Sequence, residues 1–468
     1  LGSGIVVVSA LGLKLTVART VGNAARASGR GGGTSLPGKV LLRLEPQAIA
    51  QLSARLSGGS AVISATNGKT TAASIAASVL ERTGRTLVHN RAGANMAGGI
   101  ASTLLAAARP HRGIAGDTGL FEVDEFWLDV VTQQVKPKAV LLANLFRDQL
   151  DRYGELETIA DRWAQVVEGL DSSTTLVLNA DDPLIADLGR GRANVTYFGV
   201  DDDALALPEM QHASDSKHCR RCGQPYRYDA IYLGHLGHYH CPNCGQQRPH
   251  PTIRAEQITL HGTHAATFML VTPAGRRAVF LRLPGLYNVY NALAATALCL
   301  SLGVGLDIVV AGLEGATPAF GRAETVKFGD TTLQILLMKN PAGANEILRT
   351  LGLESDQLDM LAILNDNIAD GRDVSWIWDA DFELLSSRVH RVTCAGTRAA
   401  ELAVRLKYAG VPESALAVVP ELPAALDRAV ADAAGARVFA LPTYTALLAL
   451  RAELTARGHV SRYWEEAA

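Results

Sequence analysis

Charge and cysteine are both scarce in this chain of 468 residues: 19% of the residues are charged, and only six are cysteine. The formal net charge is −2, which argues against a strongly basic nucleic-acid binder. No apolar run approaches the ~20 residues that a membrane helix needs. The best N-terminal stretch, Ile5 to Leu13, is short and broken by Gly and Ser, and no basic segment precedes it as in a signal peptide. Nor is an obvious basic amphipathic helix visible. A hydrophobic content of 48% excludes a disordered chain, and the length suits two to four domains. There is no internal repeat and no low-complexity tract. Lysine is rare too, at 9 against 35 arginines, which with abundant alanine points to a GC-rich coding genome. Four of the six cysteines fall in one short window.

Residues 1–45 form an Ala-, Gly- and Arg-rich arm. Its Gly31–Lys39 cluster reads as a loop, or as backbone that approaches something closely. From Ser60 onward, short apolar strands such as Ala61–Ser64, Ala139–Leu142 and Leu176–Leu178 alternate with Ala-rich helices such as Ala72–Thr83. That alternation is the mark of a parallel α/β sheet. Residues 205–255 interrupt the rhythm with Cys, His and Pro, as an inserted module would. The pattern resumes to about residue 320. Residues 321–468 carry their own strands (Gln334–Leu337, Met360–Leu364, Arg437–Leu441) and helices, enough for a separate C-terminal α/β domain.

The segment Ala61–Thr71 reads strand, tight loop, helix. Such a junction points backbone N–H groups and a helix N-terminus at an anion, with Lys69 as a mobile cation and the Thr70 hydroxyl suited to Mg²⁺. The strict P-loop spacing fails because Ile63 stands at its first Gly position, so an incidental Gly-Lys-Thr turn is the competing reading. Glu122-Val123-Asp124-Glu125 offers carboxylates for Mg²⁺ or a solvated turn. Asn144–Asp151 places polar groups at the C-terminal end of a strand, where α/β ligands bind.

Four ordered motifs resemble the Mur ligase superfamily, which joins carboxylates to amines through an acyl phosphate. They are Thr66-Asn67-Gly68-Lys69-Thr70-Thr71, Asn179–Pro183, Leu283–Ala292 and Gly321–Glu324. The resemblance implies ATP held by the Thr66–Thr71 loop, with Lys69 on the β/γ-phosphates and Thr70 and Glu122 on Mg²⁺. It further implies Asn288 and Asn291 on the nucleotide and Arg322 on the transferring phosphate. Several members of the superfamily carry a carbamylated lysine. Here no lysine lies between Lys138 and Lys217, and Gln149 replaces the expected histidine, so no carbamate is predicted.

Cys219-x-x-Cys222 and Cys241-x-x-Cys244 are two knuckles separated by 18 residues, each followed by glycine. Each turn aims two thiolates at one point, and together they complete a tetrahedral Zn²⁺ ribbon. His218, His235, His238 and His240 read as ribbon-surface residues, and Cys299 and Cys394 as core thiols.

The ribbon and three C-terminal motifs (Leu337–Glu346, Ile363–Asp379, Leu441–Ala446) resemble the MurT-type subunits of lipid II isoglutaminyl synthase. The fold this implies is a Mur-ligase-like central P-loop ATPase domain with an inserted four-cysteine zinc ribbon, plus a C-terminal Rossmann-like α/β domain. The activity implied is ATP-dependent amidation of D-glutamate in the lipid II stem peptide, with ammonia from a GatD-type glutaminase partner and no nucleic acid. A cytoplasmic site at the inner membrane face follows, with peripheral membrane contact through lipid II.

The residues themselves also ask for a partner. A class I glutaminase needs a G-x-C-x-G elbow, and the nearest run, Val392–Gly396 around Cys394, lacks its first glycine. The resemblance lends the partner an aspartate, for which Asp366, Asp370 and Asp373 are the candidates. Rival readings are an amino-acid-adding ligase such as a folylpolyglutamate synthase, and a zinc-ribbon nucleotide-binding regulator.

Overall fold

Short aliphatic runs become the strands of two large sheets in the computed structural model, which describes residues 10–27, 35–90, 94–109, 113–148, 156–211, 214–317, 322–433 and 437–460. The first sheet begins with β1 (Gly59–Ser64), β2 (Leu87–His89), β3 (Thr118–Glu122), β4 (Ala139–Leu142), β5 (Thr175–Asn179) and β6 (Val195–Val200). A two-stranded hairpin then intervenes, β7 (Arg227–Leu233) and β8 (Leu236–His240). The sheet resumes with β9 (Ile253–His261), β10 (Ala265–Thr272) and β11 (Gly275–Leu281). Its spatial order is β11-β10-β9-β6-β5-β4-β1-β3-β2, parallel from β2 to β9 and closed by an antiparallel meander.

Alternate residues of the parallel strands enter two separate cores. Ile63 and Leu141 pack with the helices Lys69–Glu81 and Leu286–Ser301, while Val62 and Val140 pack with Ile49 and Trp163 on the other face. Burial on both faces explains why these strands read as continuous apolar runs.

The second sheet comprises β12 (Arg322–Phe328), β13 (Thr331–Leu336), β14 (Leu358–Ile363), β15 (Val389–Ala395), β16 (Leu416–Val418) and β17 (Arg437–Pro442). Its order is β12-β13-β17-β14-β15-β16, with only β12 antiparallel to its neighbour.

Three boundaries differ from those the sequence suggests. The helix after β1 starts at Lys69 rather than Ala72, because Gly68 turns the chain at φ +83° and opens the helix there. β13 begins at Thr331 rather than Gln334, since it forms a hairpin with β12 through the Gly329 turn. Within the Gly31–Lys39 cluster, residues 31–34 lie outside the described residues, and Leu36–Leu44 is a helix with Pro37 in its first turn. Gly38 does approach other backbone closely: a Cβ there would fall 1.9 Å from the Gly98 carbonyl oxygen. Among the described residues, no helix is long and apolar enough to cross a membrane.

Candidate functional site

The carboxyl ends of β1, β3 and β4 converge on the loop Thr66–Gly68, at the edge where parallel α/β sheets take their ligands. Asn144, two residues beyond β4, shapes the loop. Its carbonyl oxygen accepts from the Thr66 N–H, its Oδ1 accepts from the Asn67 N–H at 2.9 Å, and its Nδ2 donates to the Asn67 carbonyl at 2.9 Å. With the loop ends so fixed, the first N–H groups of helix Lys69–Glu81 face outward as anion donors.

Lys69 is buried at 7% exposure and donates to the Ala65 carbonyl and, at 2.8 Å, to Glu125 Oε2. Thr70 Oγ1 donates to Glu122 Oε1 at 3.1 Å. This hydroxyl and carboxylate form a pair of hard oxygen donors of the kind Mg²⁺ takes. Burial would raise the Glu125 carboxyl, but the Lys69 and Lys339 charges beside it hold it below its ordinary value. Asp124 goes the other way, pushed up by burial and by the Glu125 charge.

Asn288 and Asn291 stand one turn apart on helix Leu286–Ser301, with Asn291 Nδ2 donating to Asn288 Oδ1 at 3.1 Å. Asn291 also backs the loop, since a Cβ on Gly68 would fall 2.0 Å from its Oδ1. The structure thus brings together Thr66, Asn67, Gly68, Lys69, Thr70, Glu122 and Asn291, with Thr71 buried in the first helical turn. Arg322 opens β12, but its side chain lies outside the described residues, as do Gln149 and Asp151.

Two residues after β13 complete the cleft. Lys339 donates to Asp148, and Asn340 exchanges amide hydrogen bonds with Asn67. Burial raises the Asp148 carboxyl despite the Lys339 charge, and its buried Oδ1 has no hydrogen-bond partner. An orphaned carboxylate oxygen in a site rich in acids fits a bound cation. Sequence reasoning assigns no role to Asn144, Asp148, Lys339 or Asn340. Their signal is a strand end followed by polar residues, which shows position without showing what it faces.

The cysteine module forms a separate site. Cys219, Cys222, Cys241 and Cys244 place all four sulfurs within 4.8 Å of one another, with Cys219–Cys244 at 3.5 Å and Cys222–Cys241 at 3.4 Å. A tetrahedral Zn²⁺ with ligands at ~2.3 Å separates its sulfurs by about 3.8 Å, so the set fits zinc with little adjustment. Hydrogen bonds from Asn243 and the Gln224 backbone bring the Cys222 thiol down to about 6, favouring the ligating thiolate. Around Cys244 the Gln246 amide also favours the thiolate, but desolvation and the three neighbouring sulfurs outweigh it and push that group up to about 12. A cation at the centre relieves that conflict.

One ribbon histidine departs from expectation. His235 is fully buried, 3.4 Å from Asp182 Oδ2 and packed on Phe146, because the β7–β8 turn inserts into the first sheet's ligand edge. Arg248 follows the ribbon inward and donates to Asp181 Oδ1 at 2.6 Å, while Tyr290 donates to Asp181 Oδ2 at 2.7 Å. Cys299 and Cys394 are buried core thiols, both pushed up to about 12 by burial.

The three candidate aspartates share the loop after β14. Asp366 accepts from Thr397 Oγ1 and Arg398 Nε, both at 2.8 Å, and lines a surface cleft with Ile368 and Arg372. Asp370 is buried, with both oxygens taken by Thr445. Asp373 is exposed and caps the Ser375 N–H at 2.8 Å.

Comparison with known proteins gives two family matches, the Mur ligase middle domain over residues 63–299 and the MurT ligase C-terminal family over residues 337–447. The lipid II isoglutaminyl synthase (glutamine-hydrolyzing) subunit MurT of Staphylococcus aureus (strain N315) is 33% identical, covering 94% of this chain and 96% of that one. The subunit of the same name from Streptococcus pneumoniae (strain ATCC BAA-255 / R6) is 30% identical, covering 91% and 93%. Among solved structures, a pseudomurein peptide ligase type C from Methanothermus fervidus is similar with a TM-score of 0.65 and 21% identity, covering 87% of this chain and 80% of that one. A folylpolyglutamate synthase of Mycobacterium tuberculosis, solved with ADP and AMPPCP, is similar with a TM-score of 0.59 and 16% identity, covering 89% and 96%.

Proposed function

The chain belongs to the MurT family within the Mur ligase superfamily and is an ATP-dependent ligase, and from that premise we propose that it amidates lipid II. The substrate group is the α-carboxylate of D-glutamate in the stem peptide, and the product is D-isoglutamine. The observation that carries this reading is the meeting of Lys69, Thr70 and Glu122 with Lys339 and Asn340 across one cleft.

In the first step a carboxylate oxygen attacks the γ-phosphorus of ATP, an O–P bond forms and ADP leaves. Lys69 and the helix N–H groups offset the charge that grows on the phosphoryl oxygens, and Arg322 is assigned the same task. Thr70 and Glu122 would hold Mg²⁺, which supplies further charge neutralisation when bound. In the second step ammonia attacks the acyl carbon, the C–O bond to phosphate breaks and the amide forms. Asn288 and Asn291 would position the nucleotide. Lys339 and Asn340 close the cleft from the second sheet and keep water from the acyl phosphate.

Ammonia is assigned to a GatD-type glutaminase. Cys394 supports this, because it is buried on β15 with its thiol pushed up to about 12, the opposite of an activated nucleophile. Asp366, although held by Thr397 and Arg398, and Asp373 reach the surface and are the better placed to serve that partner, whereas Asp370 is buried against Thr445. Zinc in the four-cysteine ribbon is assigned a structural role.

The test supplies the purified chain with lipid II, ATP and ammonium, or glutamine plus the co-expressed glutaminase. Amidated lipid II by mass spectrometry with one ADP per product supports the reading. ATP turnover that needs a free amino acid instead of ammonia would assign the chain to the amino-acid-adding ligases.

A further inference from the structure

The first 44 residues contain six lysines and arginines and no acid, in a chain whose formal charge is −2. Two helices from this stretch, Ala10–Ala27 and Leu36–Leu44, pack on one another and on helix Ala97–Ala107. Their inward faces are set by Leu15 and Ala18 on the first and by Gly38 and Leu41 on the second.

The outward faces are unusual for a surface. On the first helix Leu13, Val17 and Val21 recur every four residues and are 62%, 43% and 36% exposed. On the second, Leu36 and Leu44 are 41% and 40% exposed, with Lys39 and Arg43 exposed between them. The first acid in the chain, Glu45, is already neutralised by Lys14 at 2.9 Å. Single exposed leucines need no explanation. Adjacent helices that both expose apolar side chains, with cations and no acid among them, match a helix surface built for a bilayer interface.

We propose that these two helices dock the protein on a membrane surface that contains anionic lipid. The apolar side chains enter the boundary between headgroups and acyl chains, while Lys39 and Arg43 meet lipid phosphates. A second copy of the chain is the poorer occupant, since it would bring two acid-free basic surfaces face to face. Sequence periodicity misses the feature because the surface is divided between two helices separated by residues 28–35. The inference does not depend on the amidation reading, although an enzyme acting on a lipid-linked substrate would work at such a surface.

The test is flotation of the full chain with vesicles lacking lipid II and ATP. With about 30% phosphatidylglycerol in phosphatidylcholine at low salt, the protein floats, and its partition falls about tenfold in phosphatidylcholine alone or in ~0.5 M salt. Lys39→Glu/Arg43→Glu and Leu13→Ser/Val17→Ser each cause a similar loss, with zinc content and thermal midpoint unchanged to show an intact fold. Failure to float on anionic vesicles, or undiminished flotation of both double variants, would overturn the proposal. So would a dimer in light scattering that Leu13→Ser/Val17→Ser dissociates, since the surface would then serve a second copy.

Discussion

Asn67 in the phosphate loop and Asn340 after β13 hold each other by a reciprocal amide pair, Asn340 Nδ2 donating to Asn67 Oδ1 at 3.0 Å and Asn67 Nδ2 to Asn340 Oδ1 at 3.3 Å. The pair joins residues 273 positions apart and ties the second sheet to the loop proposed to hold the phosphates. Lys339 repeats the tie one residue earlier by reaching Asp148. The cleft proposed for ligation is therefore bridged by contacts between its two sheets.

Removing that contact should slow turnover. Asn340→Ala forfeits the two amide bonds to Asn67, about 1 kcal/mol net, and kcat for ADP release should drop roughly fivefold to tenfold. It also loses the helix cap that accepts from the Gly343 N–H at 2.9 Å, which should lower stability by about 1 kcal/mol. Lys339→Ala removes a cation from beside Glu125 and Asp148, and a loss of about a hundredfold is expected. Steady-state ADP release with ammonium as nucleophile measures both, and an unchanged kcat for Lys339→Ala would remove this residue from the mechanism.

Gly68→Ala probes the loop itself. Its left-handed backbone (φ +83°) costs an L-residue about 1–2 kcal/mol, and the new methyl would meet the Asn291 amide at 2.0 Å. Nucleotide titration by calorimetry should show at least tenfold weaker ATP binding, while zinc stoichiometry stays at one per chain.

How far the sequence carries the fold can be seen at these same residues. The strands β1, β4 and β5 are legible because burial on both faces leaves unbroken apolar runs such as Ala139–Leu142. The four cysteines are legible because the spacing of two C-x-x-C knuckles dictates their geometry, and Lys69 and Thr70 because they follow a strand and a tight turn. Glu122, 52 residues from Thr70, is picked out by the family resemblance and not by spacing. Lys339 and Asn340 read as part of a motif without a role of their own, since their partners Asp148 and Asn67 meet them only through tertiary packing. His235 reads as a surface residue for the same reason, because nothing in a C-x-x-C spacing says that the ribbon tip inserts beside Asp182 and Phe146.

The ribbon should be wired to the stability of the first sheet through Asp181. That carboxylate is fully buried and accepts from Arg248, Tyr290 and the Val200 N–H. Asp181→Ala leaves Arg248 with Asp201 as its remaining acid partner, and a loss of about 3 kcal/mol is expected. Urea unfolding followed by tryptophan fluorescence checks it. Cys241→Ser should lower the thermal midpoint with loss of the metal, read by elemental analysis on the same sample.

Acid sensitivity follows from Glu125. Its carboxyl lies below the ordinary 4.5 in the folded protein because Lys69 and Lys339 outweigh burial. A group with a lower folded value binds fewer protons when native, so its stabilisation is present above pH 4.5 and is lost as pH falls through the folded value. Glu125→Gln should therefore flatten the acid limb of stability below that pH relative to the parent. Parallel urea titrations from pH ~7 to ~3 reveal the difference, and identical acid limbs would show that the Lys69 pair contributes nothing there.

The proposed attack of the D-glutamate α-carboxylate on ATP before ammonia arrives can be followed by oxygen transfer. Lipid II labelled with ¹⁸O in that carboxylate is amidated with ATP and ammonium, and the released phosphate is weighed by mass spectrometry. An acyl phosphate intermediate transfers one labelled oxygen to each phosphate as the amide forms. Amidated product accompanied by unlabelled phosphate would contradict it.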